Sequence, residues 1–204
     1  MLSIAHNFLF VHVPKTAGNS VQRVLLNYSE DEMVLRGAHQ DGLERFEVYS
    51  PTVKMHKHSR LADYRAQLPA TLFDGLFKFH GVRNPWDRCV SFFFSPHRGP
   101  VDWSPEAFEA FIEKAVIPTH EFLQLGENNG DPFGNVDGVI RYEHLVDDFE
   151  TICARIGIGA QILPRVNVSV REDFRRYYPS DQIISLVATK FAPEIRTFGY
   201  TFDP

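Results

Sequence analysis

An α/β fold with a mainly parallel central sheet flanked by helices is the architecture this sequence predicts. Three observations predict it. Short apolar runs rich in aromatic and β-branched residues stand at 8–13, 76–82 and 136–142. Each run gives way to a turn or directly to a helical pattern. Further helical patterns separate the runs, and parallel neighbours need such crossovers.

Taken in order, Phe8-Leu9-Phe10-Val11-His12-Val13 reads as a buried strand stopped by Pro14. Gly18-Asn19-Ser20 then opens a helix that carries Val21, Val24, Leu25 and Tyr28 on one face. Residues 30–49 are polar and irregular, ending in a short strand at Phe46–Tyr49. Leu61, Tyr64 and Leu68 mark a short helix ended by Pro69. Leu76–Val82 is the second strand. Arg83-Asn84-Pro85 turns the chain into a helix over Trp86–Phe94, with Asn84 as N-cap and Pro85 at the first helical position. Ser104-Pro105-Glu106 starts another helix, burying Phe108, Phe111 and Ile112. Asn128–Asn135 is a loop, Val136–Tyr142 the third strand, and Glu143–Ile156 a helix closed by Gly157. Ile162–Val170 is extended, Ser180–Phe191 is the last helix, and Phe198-Gly199-Tyr200 packs the C-terminal end.

The chain has 204 residues, suited to one domain over 1–204. With 44% hydrophobic and 23% charged residues it can bury a core, which excludes disorder, collagen and coiled coil. A net charge of −5 argues against a general nucleic-acid binder but not against a local basic pocket. Cys89 and Cys153 form no Cys-x-x-Cys pair and read as reduced, buried thiols. No apolar run approaches the roughly 20 residues of a membrane span. The start lacks a basic n-region, so the expectation is a cytoplasmic protein without stable membrane insertion.

Two segments carry chemistry. Val13-Pro14-Lys15-Thr16-Ala17-Gly18-Asn19-Ser20 joins a strand to a helix N-terminus, where backbone N–H groups favour an anion. Gly18 would allow close approach, Lys15 adds charge, and Thr16, Asn19 and Ser20 add side-chain donors. The lysine precedes the glycine, so this is not the Gly-x-x-x-x-Gly-Lys motif of nucleoside triphosphatases. Arg83 leaves the second strand in the same way, with Ser91 eight residues further along the helix. Together they suit a second phosphate. The plainer alternative pairs Arg83 or Arg88 with Asp87 or another acid at the surface, and for Arg88 it is preferred.

Pro14–Ser20 resembles the 5′-phosphosulfate loop of the sulfotransferases that use 3′-phosphoadenosine 5′-phosphosulfate (PAPS). Arg83-Asn84-Pro85-Trp86-Asp87-Arg88 through Ser91 resembles the same family's 3′-phosphate motif. Arg141-Tyr142-Glu143-His144-Leu145, Leu163-Pro164-Arg165-Val166-Asn167 and Phe198-Gly199-Tyr200 resemble its carbohydrate-type and bacterial branch. The resemblance implies a single sulfotransferase domain with a P-loop-like three-layer fold. It also implies metal-free transfer of a sulfuryl group from PAPS to a small-molecule or glycan acceptor, leaving 3′-phosphoadenosine 5′-phosphate. Lys15, Thr16, Ala17, Gly18, Asn19 and Ser20 would hold the 5′-phosphosulfate, and Arg83 and Ser91 the 3′-phosphate.

In-line transfer needs positioning, charge stabilisation at the leaving oxygen and a proton acceptor. Lys15 suits the leaving oxygen. His58 is the preferred base, with His56 as alternative base or orienting partner, and strand-like alternation would put both on one face. The other readings of this cluster are a basic acceptor-binding patch and a His-x-His metal site. His12 and His80 read as packed residues, and His97-Arg98 as candidates to line the acceptor cleft. His6, His39, His120 and His144 read as surface residues. Trp86 and Phe92–Phe94 read as core, one of them a candidate to stack on adenine. Arg165 and Asn167 are candidates to close over the nucleotide. The basic stretch Arg171, Arg175 and Arg176, with Tyr177 and Tyr178, is either an acidic-glycan site or a solvated helix face. Two other functions compete: a small-molecule kinase, and a catalytically silent nucleotide binder on the same fold.

Overall fold

The computed structural model describes residues 1–35, 46–51, 53–126, 130–164 and 171–203, without the side chains of Leu35, Phe46, Glu47 and His97. The chain opens with β1 (Leu2–Ser3) and turns back as β2 (Phe8–Val11). All four β2 residues are buried, as in a strand covered on both faces. β2 stops at Val11, so His12 and Val13 belong to the following loop rather than to the strand. Next comes α1 (Gly18–Leu25), and Tyr28 falls on a 3-10 turn beyond it. The strand expected at 46–49 is present as β4 (Phe46–Tyr49). It pairs antiparallel with β3 (Glu32–Leu35), a run too short to stand out within the polar 30–49 stretch.

α2 (Leu61–Gln67) ends before Pro69 as expected, and α3 (Ala70–Gly75) follows unannounced. β5 (Phe77–Val82) leads into α4 (Pro85–Phe93). Asn84 caps α4, its Oδ1 accepting from the Trp86 and Asp87 N–H groups at 3.1 and 3.4 Å. α5 (Pro105–Ala115) is capped by Ser104, whose Oγ accepts from the Ala107 N–H. The short α6 (Thr119–Leu123) and a 3-10 turn at Pro132–Asn135 precede β6 (Gly138–Arg141). Both β6 and the next helix are shorter than expected. Tyr142–His144 forms a separate 3-10 turn, and α7 (Leu145–Arg155) begins after it. Gly157 has φ 73°, the left-handed conformation that ends a helix most cheaply with glycine. α8 (Asp181–Lys190) and α9 (Ala192–Phe198) complete the chain, so Phe198 ends a helix rather than lying in an irregular segment. Most of the extended stretch expected at 162–170 lies outside the described residues.

The sheet order is β1-β2-β5-β6. β1 is antiparallel to β2, and the other pairs are parallel. Helices cover both faces. Phe8, Phe10, Phe79 and Ile140 pack with α1 and α7, while Leu9 and Val11 pack with α2, α3 and α6. A third cluster joins α4, α5 and α8 around Trp86, Phe93, Phe108 and Phe191, which gives the expected core role to Trp86 and Phe93. Cys89 and Cys153 are both buried free thiols, and burial pushes the Cys89 thiol up to about 12. Among the described residues, no helix is long and apolar enough to cross a membrane.

The parallel register has a direct consequence for the site. Val11 lies opposite His80, and Val82 opposite Arg141, so β2, β5 and β6 all end at the same sheet edge. The loops after these strands must therefore meet, at the edge where open α/β sheets collect ligands.

Candidate active site

The loop after β2 is held in an unusual shape. Lys15 and Ala17 have φ of 70° and 66°, left-handed values that cost a non-glycine residue about 1 kcal/mol or more each. Such strain persists only where the surroundings impose it. Thr16 Oγ1 donates to the Val13 carbonyl at 2.8 Å, and the Thr16 side chain is buried. Its hydroxyl therefore braces the loop. Asn19 is half-buried, and Ser20 is buried in the first turn of α1.

Gly18 is required by its neighbour underneath. A Cβ there would sit 2.0 Å from Cδ2 and 2.1 Å from Nε2 of His12. His12 is itself buried, so it has little room to yield. Gly18→Ala is expected to cost about 1–3 kcal/mol by overpacking, read as a lower melting temperature. A melting temperature equal to wild type would show that the loop can shift freely.

The Lys15 ammonium is pushed down to about 8, first by burial and then by the nearby Arg83 and Arg171 guanidiniums. Its Nζ donates to Ser95 Oγ at 3.3 Å. Arg83 extends from the end of β5 into this same region. Its Nη1 donates to the Lys15 carbonyl at 3.3 Å and to Ser91 Oγ at 3.2 Å. Arg83 and Ser91 are thus brought together, and the two loops meet. Arg83 also makes the pairing given as its plainer alternative: Nε and Nη2 lie 2.7 and 2.6 Å from Asp87 Oδ2. Asp87 is shared with Arg171. Two guanidiniums therefore share one carboxylate, with the Lys15 ammonium near both, leaving local positive charge for an anion.

Residues from the β6 loop complete this side, and composition alone gave no reason to pick them. The Tyr142 ring lies 3.7 Å from the Arg83 guanidinium carbon, a cation–π contact. Glu143 Oε1 accepts from the Asn84 N–H at 2.7 Å, and its Oε2 accepts from the Tyr200 hydroxyl at 3.0 Å. The Arg141–Leu145 segment is where the signal lay, as the third strand-to-helix junction. Ser95 was equally unmarked, being one more serine at the end of a helix.

Arg88 corrects the surface reading. It is buried, donating from Nε to the Pro14 carbonyl at 2.9 Å and from Nη2 to the Ile117 carbonyl at 2.9 Å. The apolar neighbours of α4 face the same core, so its helix position rather than its charge set its burial. His120 is not a plain surface residue either, since its Nδ1 lies 2.9 Å from Oε2 of the buried Glu194.

His56-Lys57-His58 is not strand-like. The Ser59 N–H donates to the His56 carbonyl at 3.0 Å, closing a turn, so the alternation that would align the two imidazoles is absent. The two residues separate accordingly. His58 reaches back to the β2 loop, with Nδ1 3.0 Å from the His12 carbonyl and its ring centroid 4.5 Å from that of His12. A carbonyl only accepts, so His58 Nδ1 carries a hydrogen. His56 is exposed, and its backbone N–H donates to Ser59 Oγ. His12 is held well below the ordinary imidazole value, by burial first and then by His58 and Lys57. It is therefore neutral beside His58. His80 is packed as expected, pushed down to about 4 by burial.

Other candidates are engaged in the fold. Arg98 donates to the Phe93 carbonyl and lies over the Phe93 and Phe111 rings. Arg175 and Arg176 pair with Asp173 and Glu172, so the basic stretch is largely neutralised. It forms a 3-10 turn rather than a helix face. Tyr178 is buried, its hydroxyl donating to the Trp86 carbonyl. Arg165, Asn167, His39 and the His97 side chain lie outside the described residues.

Comparison with known proteins supplies the remaining context. An uncharacterised protein of Archaeoglobus fulgidus is 27% identical over 116 residues, covering 55% of this chain and 93% of that protein. No solved structure matches. A family model described as "Sulfotransferase family" matches residues 1–201. With nearly the whole sequence matched, on a sheet whose loops bring Lys15 and Arg83 together, the chain belongs to the sulfotransferase family and its chemistry is sulfuryl transfer.

Proposed function

We propose that the protein transfers a sulfuryl group from PAPS to an acceptor hydroxyl on a carbohydrate or glycolipid. The observation that carries this reading is the meeting of the two loops. Arg83 Nη1 touches both Ser91 Oγ and the Lys15 carbonyl, although Arg83 and Lys15 lie 68 residues apart. A nucleotide carrying phosphates at both its 5′ and 3′ positions matches two adjacent cationic loops of this kind.

In this mechanism the 15–20 loop and the α1 N-terminus hold the 5′-phosphosulfate, while Arg83 and Ser91 hold the 3′-phosphate. The acceptor oxygen attacks sulfur as the bond from sulfur to the phosphate oxygen breaks. Lys15 meets the charge that develops on that leaving oxygen. The acceptor proton passes to Nε2 of His58, the nitrogen left basic by the hydrogen bond at Nδ1. His12 remains neutral throughout, so no like charge opposes the proton's arrival. His56, exposed at the start of the turn, is the alternative base.

Calorimetric titration tests the donor. With metal chelated, 3′-phosphoadenosine 5′-phosphate is expected to bind at least about tenfold tighter than AMP or ATP, because it alone engages both loops. A preference for ATP with magnesium would replace this reading with the kinase. Tight binding without turnover on any acceptor would replace it with the silent binder.

A further inference from the structure

We propose that Arg88 is the positioning residue of the phosphate loop: it orients the Pro14–Lys15 peptide and thereby sets the affinity for the donor's 5′-phosphate. It does so without touching the nucleotide. This inference rests on the donor reading given above.

The argument begins with three consecutive carbonyls. Val13 O accepts from Thr16 Oγ1 at 2.8 Å, Pro14 O from Arg88 Nε at 2.9 Å, and Lys15 O from Arg83 Nη1 at 3.3 Å. In a trans peptide the N–H points opposite to the C=O. Pinning the Pro14 carbonyl toward Arg88 therefore turns the Lys15 N–H away from it. The Lys15 carbonyl contact with Arg83 turns the Thr16 N–H in the same manner. Without these holds the left-handed φ at Lys15 would have little to sustain it.

Arg88 is suited to hold rather than to bind. Its side chain is 1% exposed, and it spans two segments distant in sequence. Besides Pro14, it donates to the Ile117 carbonyl at 2.9 Å and to Thr119 Oγ1 at 3.5 Å. That second segment is anchored in turn, since the Thr119 N–H donates to the buried Glu194 of α9. A buried charge of this kind is a poor stabiliser compared with an apolar residue of similar size. What it supplies is direction: a planar fork reaches several acceptors at fixed angles, which an ammonium cannot do. The C-terminal helix is thereby linked to the phosphate loop through Glu194, Thr119 and Arg88.

The test separates the two phosphates. Wild type and Arg88→Lys are titrated with 3′-phosphoadenosine 5′-phosphate and with adenosine 3′-monophosphate. The gain in affinity from adding the 5′-phosphate is the readout. Arg88→Lys is expected to reduce that gain by about tenfold, the worth of one charge-assisted hydrogen bond, and to bind the 3′-monophosphate within about twofold of wild type. A general loss of structure would weaken both ligands together. An unchanged gain in an Arg88→Lys protein with native near-ultraviolet dichroism would overturn the inference. Should Arg88→Lys not fold, Thr119→Val decides, with a fall of about threefold in the gain expected and no change overturning it. If wild type gains nothing from the 5′-phosphate, the donor reading itself falls, and this inference with it.

Discussion

His58→Ala is expected to lower kcat by about 10²–10⁴ while leaving the affinity for 3′-phosphoadenosine 5′-phosphate within about twofold. The split follows from position. His58 meets the β2 loop at the carbonyl and ring of His12, whereas the proposed donor contacts are those of the 15–20 loop, Arg83 and Ser91. The role proposed for it is proton acceptance and not donor binding. His58→Asn sharpens the test, because an amide N–H can replace Nδ1 as donor to His12 while supplying no base. Asparagine should therefore keep the melting temperature and still lose turnover. Near-wild-type turnover in both variants would remove His58 as base. If His56→Ala then lost turnover instead, the role would pass to His56.

Lys15→Met is expected to lower kcat by about 10²–10³, the cost of losing one donor to the charge developing in the transition state. The same substitution is expected to stabilise the unliganded protein. The Lys15 ammonium is pushed down to about 8 from its ordinary 10.5, so the folded state disfavours its charged form. The sign follows from linkage: this penalty is full below pH 8 and is relieved as pH rises toward 10.5. At pH 7 methionine removes it, against the loss of the weak Ser95 contact. A net gain of about 1–2 kcal/mol would raise the melting temperature by about 3–6 °C. A lower melting temperature at pH 7 would show that Lys15 is stabilising where it stands. In wild type, donor binding should draw protons onto Lys15 near pH 8, seen as a dependence of the binding heat on the buffer's ionisation heat.

The local devices of this fold were legible in the chain. Asn84-Pro85 and Ser104-Pro105 announce helix starts because capping acts over three residues, and both caps are present. The apolar runs of β2, β5 and β6 announce parallel strands because a strand covered on both faces must be apolar throughout. The motif loops are legible for a similar reason: a strand, a turn and a helix N-terminus are contiguous, so one stretch of sequence contains the anion cradle. Errors came where local pattern and neighbourhood diverge. β3 is only four residues long, too short for Met33-Val34-Leu35 to show a period, and pairing with β4 makes it a strand. His56 and His58 alternate in the sequence but sit in a turn.

What the sequence determined by itself is therefore the α/β alternation, the helix caps and the two loops that carry Lys15 and Arg83. The tertiary structure alone decided what each loop residue touches. Parallel register brings the ends of β2, β5 and β6 to one edge, and only there do Arg83, Ser91, Tyr142 and Glu143 become neighbours. Packing decided that Gly18 makes way for His12, that Thr16 turns inward and that Arg88 is buried against Pro14. The physical reason is range. Capping and periodicity act within a turn or two of the chain, whereas register and burial are set by segments far apart in sequence.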